Sequence, residues 1–224
     1  MFALASMFVL MLLASNPMEA SRQGRPALTH SSSAAAPVVV VFETELGNIE
    51  ISVDPQQAPI TAANFLKYVD QGFYDGGEFH RAIRPDNEVR SDAPIQVVQA
   101  RINPARASEG FPPIPLERTS ITGLKHLDGT VSMARDVTPT RSGPDTATSG
   151  FFICIGDQPS LDDGGQRAPD KLGFAAFGKV VSGMDVARKI QEKPTPKDAP
   201  ATKLAAKGQT LVPTVKIIRA HRKN

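Results

Sequence analysis

Alternating apolar and polar positions recur along the chain from residue 38 onward and predict a series of short β-strands. Ile49, Ile51 and Val53 alternate with polar residues, which is the period of a strand with one buried face. Gly47-Asn48 separates this segment from the apolar stretch 38–46 and predicts a tight hairpin turn. Further strands are expected over residues 78–83, 95–100, 129–133, 150–155, 174–181 and 212–219.

A helical period interrupts this pattern after the first two strands. One apolar stripe at helical spacing is formed by Ala62, Phe65, Leu66 and Val69. Pro59 suits the first turn of this helix and Gly72 its end. A shorter helix is expected over residues 184–191. Many strands and two helices without alternation of the two predict a mainly β fold, a closed antiparallel eight-stranded barrel capped by two helices.

The N-terminal region differs in composition from the rest of the chain. Residues 1–14 are almost wholly apolar, a length that suits the apolar core of a secretory signal and is short for a membrane span. We therefore expect residues 1–20 to be a signal peptide, with an uncleaved N-terminal anchor as the alternative. Residues 21–37 are rich in Ser, Ala, Pro and Arg and predict a flexible linker before a single domain over residues 38–220.

Composition excludes several classes of function. The formal net charge of the 224 residues is +2 and no basic stripe is interleaved with aromatic residues, so a nucleic-acid partner is not expected. The four histidines are scattered without zinc-binding spacing, and no cofactor or metal is expected. Ser132 and Ser149 show no local arrangement with a histidine and an acid, so a hydrolase triad is not expected. The single cysteine, Cys154, lies in an apolar run and is expected to be a small buried hydrophobic residue.

Seven short segments occur in the order found in the cyclophilins, and together they span nearly all of residues 38–219. They are the segment 58–65, Gly72-Phe73-Tyr74-Asp75-Gly76, Phe79-His80-Arg81, Ser132-Met133-Ala134-Arg135, Thr148-Ser149 with Phe151-Phe152-Ile153, Leu161-Asp162, and Phe177-Gly178-Lys179-Val180-Val181 leading to Gly183-Met184-Asp185. The chain thus resembles a cyclophilin-type peptidyl-prolyl cis-trans isomerase. The segments 145–149 and 163–167 are most similar to bacterial exported members of that family.

The resemblance implies roles for individual residues. Arg81 would be the catalytic guanidinium, whose permanent hydrogen-bond donors can stabilise a twisted X-Pro amide. Phe152 would form the floor of the proline pocket. The implied substrate-binding residues are Gln99, Val97, Ala134, Arg135, Phe152, Leu161 and Phe174. Ala134 and Arg135 would receive the peptide through backbone contacts, while His80 would be structural.

Several positions depart from the family pattern. The usual Phe-Met-x-Gln-Gly-Gly is here the segment 96–101, Gln-Val-Val-Gln-Ala-Arg, so Val97 makes the pocket wall smaller. Gly150 replaces a substrate-binding glutamine, and Ser160 replaces an aromatic residue, which predicts weak binding of cyclosporin-type ligands. Residues 84–94 resemble an insertion beside the active-site strand. These changes predict activity below that of typical members.

Two functions are therefore weighed. The first is an isomerase that assists the folding of exported proteins and acts as a monomer on proline-containing polypeptides, in the periplasm, secreted, or anchored to the inner membrane facing the periplasm. The second is a non-catalytic module that binds proline-containing segments on the same fold, as a chaperone or assembly factor. The intact Phe79-His80-Arg81 segment favours the first, together with Gln99 and Phe152. The altered residues favour the second, namely Gln96, Ala100-Arg101, Gly150 and Ser160.

Overall fold

Eight strands form the body of the protein in a computed structural model that describes residues 36–137, 143–199, 201–202 and 205–223. The strands are β1 (Val38–Thr44), β2 (Gly47–Val53), β3 (Glu78–Ile83), β4 (Val97–Arg101), β5 (Thr130–Met133), β6 (Phe151–Cys154), β7 (Ala175–Ser182) and β8 (Thr210–Arg222). They pair antiparallel in the order β1-β2-β7-β5-β6-β4-β3-β8, and β8 returns to β1 to close the barrel. The predicted fold class is confirmed. The predicted segment 1–20 and all but the last two residues of the predicted linker lie outside the described residues, so the domain division stays a prediction.

Both predicted helices are present, and a third, very short one is added. Among the described residues the helices are α1 (Pro59–Asp70), α2 (Thr119–Thr122) and α3 (Met184–Gln191), and short 3₁₀ helices lie at Pro104–Glu109 and Pro159–Leu161. Helix α1 begins at Pro59 as its sequence predicts, and its apolar stripe is buried against β7 and β8. Helix α3 packs against β2, β3 and β4. None of the helices among the described residues is both long and apolar enough to cross a membrane.

The hairpin turn predicted at Gly47-Asn48 was placed wrongly. Gly47 already pairs with Thr44, so that the two-residue loop is Glu45-Leu46. The Thr44 hydroxyl sets this register, since it donates to the Gly47 carbonyl at 2.6 Å and accepts from the Leu46 amide at 3.2 Å. Gly47 suits this position for two reasons, because its φ of +127° is one that other residues rarely adopt and a Cβ there would lie 3.0 Å from Val186 of α3.

Strand alternation divides the apolar residues between two clusters. Inward-facing side chains of the strands fill the barrel with a core that includes Phe42, Phe65, Tyr74, Phe79 and Phe151, all essentially inaccessible to solvent. Neighbouring rings in this core lie 5.2–6.2 Å apart between centroids. Outward-facing residues of β3, β4 and β6 belong to a separate apolar cluster. That outer cluster contains four of the eight predicted site residues.

Candidate active site

Arg81, Gln99 and Phe152 lie in one row across three neighbouring strands. Arg81 on β3 is directly opposite Gln99 on β4, and Gln99 is directly opposite Phe152 on β6. Directly opposed residues of antiparallel strands point to the same face, with Cβ atoms about 4.5–5.5 Å apart. The barrel therefore brings together on its outer face three residues that are far apart in the sequence.

A β-bulge at His80 places Arg81 on that outer face. Phe79 points into the barrel core, so in a regular strand Arg81, two residues later, would point inward as well. Phe79 pairs with Ala100 and Arg81 with the adjacent Gln99, so His80 is an extra residue of β3 against β4. Such a bulge re-aims the side chain that follows it. In this motif Phe79 therefore packs in the barrel core, His80 forms the bulge, and Arg81 points its guanidinium to the outer face.

His80 itself is buried, and neither of its ring nitrogens has a hydrogen-bond partner within the described residues. Burial is the main cause that lowers the pKa of His80 to about 3, and the positive charges of Arg101 and Arg81 add to this effect. The imidazole is therefore neutral at physiological pH, and adds no second charge beside Arg81. This placement agrees with the structural role that the resemblance implies.

Two glutamine side chains hold the Arg81 guanidinium. Its Nε and Nη2 donate to Gln209 Oε1 at 3.0 and 2.6 Å, and its Nη1 donates to Gln99 Oε1 at 3.1 Å. Burial and the nearby charge of Arg167 lower the pKa of Arg81 to about 10, with Glu88 opposing the shift. Arg81 is therefore fully charged at neutral pH and fixed in orientation.

An apolar pocket wall adjoins this row. Val97, Phe152, Leu161 and Phe174, four of the predicted substrate-binding residues, belong to one cluster with Ile83, Ile95, Cys154 and Ala168. The rings of Phe152 and Phe174 meet edge to face at 5.6 Å. Leu161 reaches the cluster from the 3₁₀ turn rather than from a strand. Cys154 is fully buried in the cluster, as expected, and burial raises the pKa of its thiol.

Ala134 and Arg135 follow β5 and border the same cluster. Arg135 is buried, and its guanidinium donates to both carboxylate oxygens of Asp170 at 2.9 and 2.6 Å and to the Gly173 carbonyl at 2.8 Å. It also lies 5.4 Å from the centre of the Phe174 ring. Because the side chain is committed to these contacts, only the backbone of this segment is suited to meet a peptide. That contact stays a prediction.

The segment 84–94 folds against the loop that carries Leu161. Glu88 accepts from Arg167 at 2.9 Å and from the Ile95 amide at 3.0 Å, and both side chains of this ion pair are largely buried. Ser160, where the resemblance leads us to expect an aromatic residue, donates to the Pro94 carbonyl at 3.3 Å. A cleft of about 510 Å³ lies beside the segment, lined by Pro85, Val89, Arg90, Gln96, Asp157 and Gln158 among others.

Ser132, for which no hydrolase triad was expected, is hydrogen-bonded in the structure to a histidine that in turn contacts an aspartate. His126 Nε2 lies 3.0 Å from Ser132 Oγ, and His126 Nδ1 lies 2.7 Å from an Asp162 carboxylate oxygen. Three separate segments supply these residues, so their sequence spacing does not show the array. Ser132 has no solvent exposure and His126 only 1%, so a substrate has no access to this hydroxyl. The array supports the pocket, since the His126 ring stacks on Phe152 at 6.0 Å.

Burial raises the pKa of Asp162, but the hydrogen bonds and charge of His126 outweigh it, and the net pKa is lowered. Asp162 is therefore an anion that orients His126 behind the pocket floor. Neither His126 nor Gln209 was predicted as a site residue, because a buried polar partner leaves no periodic signal in the sequence. Among the described residues, no group of three or more His, Cys, Asp or Glu side chains is arranged to hold a metal ion.

Comparisons with known proteins place these features in a family. The family model described as "Cyclophilin type peptidyl-prolyl cis-trans isomerase/CLD" matches residues 39–221. The chain is 38% identical over 180 residues to peptidyl-prolyl cis-trans isomerase A of Dickeya dadantii, covering 80% of this chain and 84% of that protein. It is 32% identical over 153 residues to peptidyl-prolyl cis-trans isomerase B of Escherichia coli, covering 68% of this chain and 84% of that protein.

A solved structure shows a similar fold. A Cryptosporidium parvum cyclophilin-type peptidyl-prolyl cis-trans isomerase superposes with a TM-score of 0.60 at 20% identity, covering 84% of this chain and 98% of that one. At this identity the likeness bears on the fold alone.

Proposed function

Because the chain belongs to the cyclophilin-type peptidyl-prolyl cis-trans isomerase family and is such an isomerase, we propose that Arg81 stabilises the twisted X-Pro amide while Phe152 holds the proline ring. We propose further that its substrates are exported polypeptides and that it acts as a monomer. The membership favours an enzyme over the non-catalytic binding module considered from the sequence.

The reaction needs a hydrogen-bond donor to the amide nitrogen and an apolar pocket that binds the proline ring, and it needs no nucleophile. Rotation about the amide opposes a barrier of about 18–20 kcal/mol because the C–N bond has partial double-bond character. In the twisted state the proline nitrogen becomes pyramidal and can accept a hydrogen bond, which a planar amide nitrogen cannot. A donor that binds only this state lowers the barrier. A fixed guanidinium beside an apolar pocket supplies both requirements.

The observation that carries the proposal is the row of Arg81, Gln99 and Phe152 next to the outer apolar cluster. Arg81 provides the donor, and Phe152 with Leu161 and Phe174 provides apolar surface for the pyrrolidine ring. Gln99 has a double role in this proposal, since it orients Arg81 and borders the groove where a substrate backbone would lie.

A phenylalanine pair tests the pocket. Phe152→Leu removes the aromatic floor, and we expect kcat/KM on a short Ala-Pro peptide to fall by about tenfold or more. Phe111→Leu is the matched control, because Phe111 is only partly buried and packs on Tyr68 and Phe73, away from the row. Equal activity of the two variants would rule out the proline pocket proposed here.

Export is supported by the apolar stretch over residues 1–14. The test is the intact mass of the full chain recovered from the periplasmic, membrane and cytoplasmic fractions of the producing bacterium. A periplasmic protein shortened by about 20 residues supports a cleaved signal, and a full-length membrane-bound protein supports the anchor. A full-length protein confined to the cytoplasm would overturn the proposal for exported substrates.

A further inference from the structure

Gln209 is placed to fix the catalytic guanidinium, although it lies 128 residues from Arg81 in the sequence. It comes directly before β8, and its side chain is completely buried. One oxygen, Oε1, accepts from both Nε and Nη2 of Arg81. The Gln209 carbonyl also accepts from the amide of Ala82 at 3.0 Å, so its backbone is tied to the residue that follows Arg81.

The amide of Gln209 has only one workable orientation. Its Nε2 donates to the Asn87 carbonyl at 3.1 Å, while its Oε1 faces the guanidinium. If the amide were turned over, its NH2 group would face the N–H donors of Arg81 and its oxygen would face the Asn87 carbonyl oxygen. All the hydrogen bonds of the Gln209 side chain would then be lost. Gln209 therefore presents a fixed acceptor rather than an adaptable one.

Asn87 is itself held firmly, and it lies in the segment 84–94 that departs from the family pattern. Its side chain accepts from the Arg84 amide at 2.9 Å and donates to the carbonyls of Ala82 and Gly208 at 3.0 and 3.2 Å. The extra segment thus provides the support on which Gln209 rests. This connection gives residues 84–94 a part in the active site that their sequence does not show.

The geometry of the donors indicates what Gln209 does for the reaction. A guanidinium has five N–H groups in a rigid plane. Within the described part of the chain, Gln209 and Gln99 together engage three of them, one each on Nε, Nη1 and Nη2. One N–H on Nη1 and one on Nη2 remain for a substrate. Because the plane is rigid, fixing Nε and Nη2 also fixes the direction of those two donors.

We propose that Gln209, supported by Asn87, is a positioning residue that holds the Arg81 guanidinium in the orientation needed to donate to the twisted amide. The proposal rests on the catalytic role proposed for Arg81. It adds a residue that makes no contact with the substrate and acts only through Arg81.

The test replaces Gln209 by an apolar side chain of similar length. In Gln209→Met we expect kcat on an Ala-Pro peptide to fall by about 10- to 100-fold, because small misplacement of a catalytic group has effects of this size. The peptide Kd should change by less than about threefold, since ground-state binding uses the apolar pocket. Gln191→Met is the matched control, because Gln191 is also buried but donates to the Ile83 carbonyl and not to Arg81. It should keep wild-type activity.

Two further measurements separate positioning from a general loss of structure. In an Arg81→Ala background, Gln209→Met should change activity by less than about twofold, whereas a merely structural role predicts the same loss in both backgrounds. NMR of the Arg81 Nε–H should show protection from solvent exchange in the wild type and its loss in Gln209→Met. Protection that is unchanged, or equal losses in the two backgrounds, would overturn the proposal. Full activity of Arg81→Ala would instead refute the proposed catalytic role, while the exchange measurement would still report on the contact.

Discussion

The ion pair between Arg135 and Asp170 offers the sharpest test of how the segment leading to Phe174 is held. The Arg135 side chain is 1% exposed and makes two parallel hydrogen bonds to the Asp170 carboxylate, at 2.9 and 2.6 Å. Asp170→Asn keeps the size of the side chain but removes its charge and one acceptor. The buried guanidinium then keeps the Gly173 carbonyl and one amide oxygen as partners.

The expected cost follows from the burial of the two partners. Breaking a fully buried ion pair by removing one partner costs about 3–5 kcal/mol, because a charge is left without compensation. Asp170 is 35% exposed, so water reaches this end of the pair and reduces the cost. We therefore expect the free energy of unfolding to fall by about 2–3 kcal/mol, close to the value of about 1.5–3 kcal/mol for one hydrogen bond to a charged group. For a domain of this size that corresponds to a lower Tm by about 4–12 °C.

Urea unfolding followed by circular dichroism measures this difference, with Asp185→Asn as the matched control. Asp185 pairs with Lys189 on the surface of α3, with side chains 69% and 60% exposed, so its loss should change the stability far less than the loss of Asp170. Equal effects of the two substitutions would refute the reasoning that burial makes the Arg135 pair important.

The same pair predicts a pH dependence. Hydrogen bonds from Arg135 are the main reason that the pKa of Asp170 is lowered. Its stabilising contribution is therefore present above the ordinary aspartate value of about 3.9 and is lost as the pH falls through the lower folded value. The stability gap between wild type and Asp170→Asn should close in that acidic range.

Three other predictions concern single positions. Gly183→Ala should be more destabilising than Gly123→Ala in thermal unfolding: both glycines have positive φ, but a Cβ at Gly183 would lie 2.1 Å from a backbone oxygen, whereas at Gly123 nothing lies within 4 Å. Equal loss at both positions would contradict the steric argument. His80, with a pKa lowered to about 3, should stay neutral from pH 8 to pH 5 when followed by NMR. The free energy of unfolding should fall as the pH drops below about 6.5, because the histidine of the unfolded chain then takes up a proton. Titration of His80 near pH 6 in the folded protein would contradict the lowered pKa. Ser132→Ala should destabilise the protein by about 1–3 kcal/mol through the unpaired His126 nitrogen, and the wild type should not react with a phosphonate probe for serine hydrolases; labelling of Ser132 would show that the array is accessible.

The strand and helix content could be predicted from the sequence because it depends on local periodicity. The apolar stripe of α1 and the alternation in β2 both fix a buried face, and the structure follows them. Strand ends were less predictable. The first hairpin depends on a Thr44 hydroxyl and on the approach of Val186 to Gly47, and neither contact is visible in the sequence of the turn.

The candidate site was predictable only where the resemblance supplied it. Arg81, Gln99 and Phe152 form one row in the barrel, but their alignment depends on strand order and on a bulge at His80. The supports of that row, Gln209 and the His126 array, are brought in by distant segments through buried hydrogen bonds. Such contacts result from the closed topology of the barrel, so no local sequence pattern indicates them.

The most direct test of the central claim is the rate of X-Pro isomerisation by Arg81→Ala, measured by NMR exchange spectroscopy at saturating peptide. Loss of a donor that acts in the transition state should lower this rate by about 100-fold or more, with peptide affinity changed far less. Arg106→Ala is the control, since Arg106 pairs with Glu109 and packs on Phe73 away from the site, and it should keep the wild-type rate. Exchange as fast in folded Arg81→Ala as in the wild type would contradict the account.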